Sequence, residues 1–369
     1  MAGATTKRAY LTNWTVVIPV VAVIALGVTW GRDLAGWVVG LLAVCLAGAV
    51  LAAVHHAEVV AARVGEPFGS LVLAVAVTFI EVALIVTLMI SGTPEKTATL
   101  ARDTVFSAVM ITCNGIVGLC LLVGALRRRI AVFNPEGSGG ALATVATLAT
   151  LSLVFPTFTT SEPGPEFSGA QLTFAAVASL ALYGLFVAVQ TVRHRDYFLP
   201  ITTSGTVIDT EEHADPPSNR AAQLSLLLLL VALVAVVGNA KSVSPTIEKG
   251  VAAAGFPPTV VGVIIALLVL LPETLAATRA ALRDRVQTSL NLAYGSAMAS
   301  IGLTIPAIAV ASIWLDGPLI LGLPATQLVL LALTVVVGIL TVVPGRATAL
   351  QGGVHLALMA AFVFLAVRP

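Results

Sequence analysis

Ala74-Val75-Ala76-Val77-Thr78-Phe79-Ile80-Glu81-Val82-Ala83-Leu84-Ile85 is an apolar run with a single carboxylate at its centre. It belongs to a longer apolar stretch at about 68–92, enough to cross the roughly 30 Å hydrocarbon core of a bilayer as a helix. Nothing basic lies within a turn or two of Glu81 to neutralise it. An ionised carboxylate at mid-membrane costs about 2.5–3.5 kcal/mol on insertion scales. Glu81 must therefore be protonated, face a wet cavity or bind a cation. The same residues that define a membrane helix thus mark a functional group.

Working outward, the pattern repeats along the whole chain. Of 369 residues, 58% are apolar and 10% charged, whereas a soluble domain carries roughly 25% charged residues. Apolar run length predicts an all-α membrane protein with eleven spans. They lie at about 13–31, 34–55, 68–92, 104–126, 140–160, 169–192, 221–240, 257–278, 288–314, 318–343 and 349–367. Lys7 and Arg8 before the first run resemble a signal peptide, but no small-residue cleavage site follows, which predicts a retained first helix. Two segments read as amphipathic rather than spanning. One carries His55, His56, Glu58 and Arg63; the other carries Lys241, Ser244, Glu248 and Lys249.

The net charge of +1, with no basic tract among aromatics, argues against nucleic acid as a partner. Cys45, Cys113 and Cys120 lie inside apolar runs without metal-ligand spacing and read as small buried hydrophobes. Residues 193–220, with Asp209, Glu211, Glu212, His213, Asp215 and Pro216-Pro217, have the composition of a solvated acidic linker. With eleven spans, Arg63, the Arg127-Arg128-Arg129 run, Arg193, Arg195, Arg279, Arg283 and Arg285 fall on the side of the N-terminus. The positive-inside bias then puts the N-terminus and linker in the cytoplasm and the C-terminus outside.

Without the first helix, five spans remain on each side of the linker. Five is odd, so the halves enter the membrane from opposite sides, the arithmetic of an inverted repeat. This divides the chain into 1–32 (tail and extra helix), 33–192 (first repeat), 193–220 (linker) and 221–369 (second repeat). The chemistry repeats too. Gly65-Glu66-Pro67-Phe68-Gly69 precedes the run containing Glu81, and Gly255-Phe256-Pro257-Pro258 precedes the run containing Glu273. Each is followed by a helix rich in small polar residues: Ser107, Thr112 and Asn114 in one half, Ser296, Ser300 and Thr304 in the other.

Leu271-Pro272-Glu273 adds a helix break, because Pro272 removes a backbone donor and obstructs a bond one turn back. Carbonyls released near Leu268 and Val269, beside a carboxylate, would make a hard-oxygen cation site. Two glutamates related by the repeat give a simple exchange chemistry. Ionised, they suit one divalent cation; protonated, they bind none. Ser107, Ser296 and Asn114 are candidate neutral ligands, and Glu58, His55 and Glu248 are candidates for gating or a proton path. Ser and Asn equally glue membrane helices together.

These residues resemble the calcium/cation antiporter superfamily, and within it the bacterial calcium/proton antiporters. The likeness covers about 33–369 and is densest at 55–92 and 244–306. His56-Ala57-Glu58 through Gly65-Glu66-Pro67-Phe68-Gly69 looks like the amphipathic lead into the first repeat. Leu271-Pro272-Glu273 and Gly295-Ser296-Ala297 look like the second. The resemblance implies a ten-helix core with a midplane cation site, alternating access by sliding of the first two helices of each repeat, and a bacterial inner-membrane location. It implies extrusion of calcium, or of sodium or potassium, driven by protons, with no bound cofactor. Vacuolar relatives carry Gly-Asn just before each glutamate, where this chain has Val77-Thr78 and Val269-Leu270. Two side-chain ligands are then absent, which keeps the monovalent cations open.

An enzyme is the competing class. The HExxH motif of intramembrane metalloproteases is absent. A serine paired with His355 is the remaining option, without a local signature.

Overall fold

The computed structural model describes residues 14–32, 34–65, 68–92, 97–201, 216–314 and 317–369. Lys7, Arg8, Glu66, Lys96 and the acidic linker residues Asp209 to Asp215 lie outside the described residues. Among the described residues, helices carry almost all the regular structure, as a chain in lipid requires, since only internal hydrogen bonds can satisfy its backbone there.

The helices are α1 (Trp14–Thr29), α2 (Gly36–Val64), α3 (Phe68–Ser91), α4 (Leu100–Arg128), α5 (Pro135–Phe158), α6 (Gly169–Arg193) and α7 (Asn219–Ala253). Then come α8 (Thr259–Val269), α9 (Leu271–Leu282), α10 (Val286–Ala311), α11 (Ala325–Val342) and α12 (Ala349–Val367). Nine of the described helices are long and apolar enough to span, α8 and α9 reach that length and hydropathy only together and are broken between them, and α1 is a shorter apolar helix. Two-residue strands β1 (Ala131–Val132) and β2 (Arg346–Ala347) pair antiparallel.

Two departures from the sequence reading have physical causes. The amphipathic segments after the second and seventh spans are not separate elements; they continue α2 and α7, which run 29 and 35 residues. No breaker separates the apolar and polar parts of α2, and a helix that outlasts the bilayer core can carry its polar turns into the interface. Each ends at a glycine with positive φ, Gly65 at 75° and Gly255 at 70°, where a Cβ would be strained. The expected span at 318–343 begins only at Ala325. Residues 317–324 contain Gly317, Pro318, Gly322 and Pro324 and run irregularly. Their backbone is satisfied by protein: Ile320 N–H donates to Ala98 O, Gly322 N–H to Pro165 O and Leu323 N–H to Leu153 O. Irregular chain is tolerated in a membrane protein where it is enclosed in this way.

The chain forms two compact units: residues 1–92 with 213–255, and residues 93–212 with 256–369. In the first unit α1 is built in along its length. Val39, Leu42 and Val243 of α2 and α7 make a core against which Ala25 of α1 packs. Asn239 Nδ2 donates to Ala22 O at 2.9 Å, and Gly238 leaves room for Leu26. His56 Nε2 donates to Thr15 O at 2.9 Å, so its Nδ1 accepts from Ser225 Oγ at 3.3 Å. The second unit is built around α4 and α10, the most enclosed spans. In both units large apolar side chains such as Trp37, Val44, Phe158 and Trp314 remain exposed, as lipid-facing side chains are.

Candidate functional site

Glu81 sits midway along α3 and is 2% exposed. α3 packs on α2 and α7, whose polar ends carry the other candidates of the first unit. His55 Nδ1 lies 4.0 Å from Glu58 Oε2, one turn on, and both side chains are substantially exposed. Glu248 Oε1 accepts from Ser244 Oγ at 2.9 Å.

In the second unit the chain bends by 51° between α8 and α9. Pro272 and Glu273 stand in the first turn of α9, directly after the bend. A carboxylate in the first turn is favoured by the amides exposed there. α9 packs against α10 and against α4, so the helices carrying Glu273, Ser296 and Ser107 are mutual neighbours. Ser107 is buried and donates to the Asp103 carbonyl one turn back; Ser296 is half-buried. Three buried hydroxyls on the same two helices, Thr104, Tyr294 and Thr304, have no hydrogen-bond partner among the described residues. Buried polar groups are normally paired, which leaves these oxygens open to water or a cation.

Asn114 falls in a π-turn, Ile111–Ile116, inside α4. Its amide is engaged at both ends: Nδ2 donates to Thr334 Oγ1 at 2.9 Å and Oδ1 lies 3.1 Å from His355 Nδ1. His355 is thus partnered by Asn114 and by Thr341, not by a serine.

One polar cluster escaped the sequence reading. Arg102 and Asp103, taken as residues outside the span, are buried at 8% and 4% exposure. Arg102 Nε donates to Asp103 Oδ1 at 2.8 Å, Thr99 Oγ1 donates to Oδ2 at 2.9 Å, and Arg102 Nη1 donates to Gly322 O at 3.3 Å. A cavity of about 450 Å³ beside it is lined by Arg102, Thr157, Pro165 and Gly322 but by none of the candidate site residues. Adjacent opposite charges directly before an apolar run were the available signal.

A family model described as sodium/calcium exchanger protein matches residues 34–192 and 224–368. The chain belongs to that exchanger family. The two matched blocks leave out residues 193–223. The chain is 46% identical over 370 residues to a Sinorhizobium fredii protein named "Putative ionic transporter y4hA", covering 98% of both chains. It is 32% identical over 352 residues to the sodium-potassium/proton antiporter ChaA of Escherichia coli, covering 95% of this chain and 94% of that one. Its fold is similar to native YfkE, with a TM-score of 0.70 at 17% identity over 96% of this chain and 99% of that one. The exchanger is an integral membrane protein of a cation-antiporter family, and members of that family are transporters rather than enzymes.

Proposed function

We propose that this protein is a secondary antiporter that exchanges a cation for protons by alternating access, with Glu81 and Glu273 taking up cation or protons. The observation that carries this reading is the placement of one carboxylate within an apolar span of each half, Glu81 buried in α3 and Glu273 at the break between α8 and α9. Ionised, such groups need a cation; protonated, they are neutral and can cross between states without one. Ser107 and Ser296, on helices packed against α9, supply neutral oxygens. Glu58, His55 and Glu248, at the polar ends of α2 and α7, serve entry and proton delivery. The bias of arginines supports a cytoplasmic N-terminus and an external C-terminus in a bacterial inner membrane.

A combined charge of −2 matches one divalent cation, so calcium is the first cargo assigned. Sodium or potassium is the second reading, and a specific observation favours it. The Escherichia coli relative is named for those ions, and Val77-Thr78 and Val269-Leu270 add few side-chain oxygens.

The test uses proteoliposomes with an acid-inside pH gradient and separate additions of calcium, sodium and potassium. Wild type collapses the gradient with the ion it carries, and Glu273→Gln abolishes that response while still inserting. Collapse with sodium or potassium alone selects the second reading. No response to any of the three would overturn antiport of these ions.

A further inference from the structure

A buried polar cluster in the second unit takes no part in the chemistry above. His355 on α12 is 1% exposed. Its Nδ1 lies 3.1 Å from Asn114 Oδ1 and its Nε2 lies 3.1 Å from Thr341 Oγ1. Asn114 turns its Nδ2 to Thr334 Oγ1, so the oxygen is the end that meets His355 and can only accept. Nδ1 therefore carries the ring proton, and Nε2 accepts from the Thr341 hydroxyl. Thr334 Oγ1 donates onward to Leu330 O at 2.8 Å. Every member is satisfied with the imidazole neutral, and a fully satisfied buried network rigidifies what it joins.

What it joins is the π-turn. There the Val117 N–H reaches back five residues to Thr112 O, displacing the usual ladder. α11 and α12 pack against this turn, and so do α9, which carries Glu273, and α10, which carries Ser296. The approach of α12 is backbone to backbone: a Cβ on Gly352 would lie 2.6 Å from Leu122 N and 2.9 Å from Gly118 O.

We propose that His355 is a positioning residue of the transport site: a neutral Nδ1–H imidazole that, with Thr341 and Thr334, clamps Asn114 and so fixes the π-turn against which α9 and α10 rest. The proposal builds on the cation/proton reading. It gives Asn114 a role through the placement of its turn rather than as a ligand. The side chains that hydrogen-bond the ring are Asn114 and Thr341, neither of them acidic, so the ring holds no second proton and carries none during exchange.

The experiment compares His355→Asn, His355→Leu and Thr341→Val with wild type in proteoliposomes, using whichever of calcium, sodium or potassium the wild type exchanges. His355→Asn keeps a donor near the Nδ1 position. His355→Leu raises the apparent KM for the cation roughly tenfold with maximal rate held within about twofold, and His355→Asn restores most of the loss. Thr341→Val falls between them and keeps the test open if the leucine variant does not insert. The pH profile keeps its midpoint in all three. A displaced midpoint in His355→Asn would make His355 a proton carrier and overturn the proposal. So would an unchanged KM in the inserted leucine or valine variant. Nitrogen NMR of the labelled histidine should show one Nδ1–H tautomer from about pH 5.5 to 8, and a ring that charges in that range also overturns it. The tautomer decides the clamp even if wild type exchanges none of these ions, an outcome that sinks only the transport reading.

Discussion

Arg102–Asp103 and Arg128–Asp284 are ion pairs of nearly equal length, 2.8 and 2.7 Å, with opposite consequences. The Arg128 side chain is 70% exposed, and water screens what the contact gains. Its guanidinium holds the Asp284 carboxyl below the usual carboxylate range, so the pair's contribution is complete above that range and is lost as pH falls on to the depressed value. The Arg102 and Asp103 side chains are only 10% and 5% exposed, and each satisfies a charge largely withdrawn from water. Removing one partner of such a pair leaves the other stranded. Asp103→Asn should therefore destabilise the protein by about 3–5 kcal/mol, read as a large fall in the unfolding midpoint in detergent. Arg128→Ala should leave that midpoint unchanged. Equal losses in the two variants would show that burial does not govern these pairs. Residues 102 and 103 did not stand out in the sequence because their surroundings are distant along the chain: Arg102 meets the carbonyl of Gly322, 220 positions away. Glu81 and Glu273 stood out there because a lone carboxylate in an apolar run needs no partner to be conspicuous.

At the scale of elements, apolar run length located the helices because the bilayer sets one length for its spans, although α1 falls short of that length and α8 and α9 break within theirs. It could not locate what depends on contacts. The π-turns within α4, α5 and α6 leave no local signature, and the continuation of α2 and α7 beyond their apolar parts reads as a change of polarity rather than of structure. The link of His355 to Asn114 spans 241 positions and rests on a close helix crossing that only the fold reveals. Adjacent glycines test that crossing. A Cβ on Gly352 would meet backbone atoms of α4 within 3 Å, whereas one on Gly353 meets nothing within 4 Å. Gly352→Ala should cost about 1–3 kcal/mol by overpacking, because backbone cannot step aside as a flexible side chain can. Gly353→Ala should be neutral or stabilise by up to about 1 kcal/mol, since alanine is the better helix former. Thermal unfolding of the two variants side by side checks this. Equal midpoints would show that α4 and α12 do not meet at Gly352.

For the whole molecule the decisive property is competition. If cation and protons share the same carboxylate oxygens, the apparent KM for the cation must rise as pH falls through the range in which the glutamates take up protons. The steepness reports the stoichiometry. A monovalent ion displacing one proton gives a limiting rise of about tenfold per pH unit; one calcium displacing two gives about a hundredfold. Measuring initial exchange rates against cation concentration at several pH values thus separates the two cargo assignments without a binding assay. The measurement also tests the site assignment. Glu81→Gln removes one titrating carboxylate, so any exchange it retains must show the shallower dependence. A variant that keeps a hundredfold slope would place the shared oxygens elsewhere in the protein. A KM independent of pH in wild type would separate the cation from the protons altogether, and with that the exchange chemistry assigned to Glu81 and Glu273 would fail.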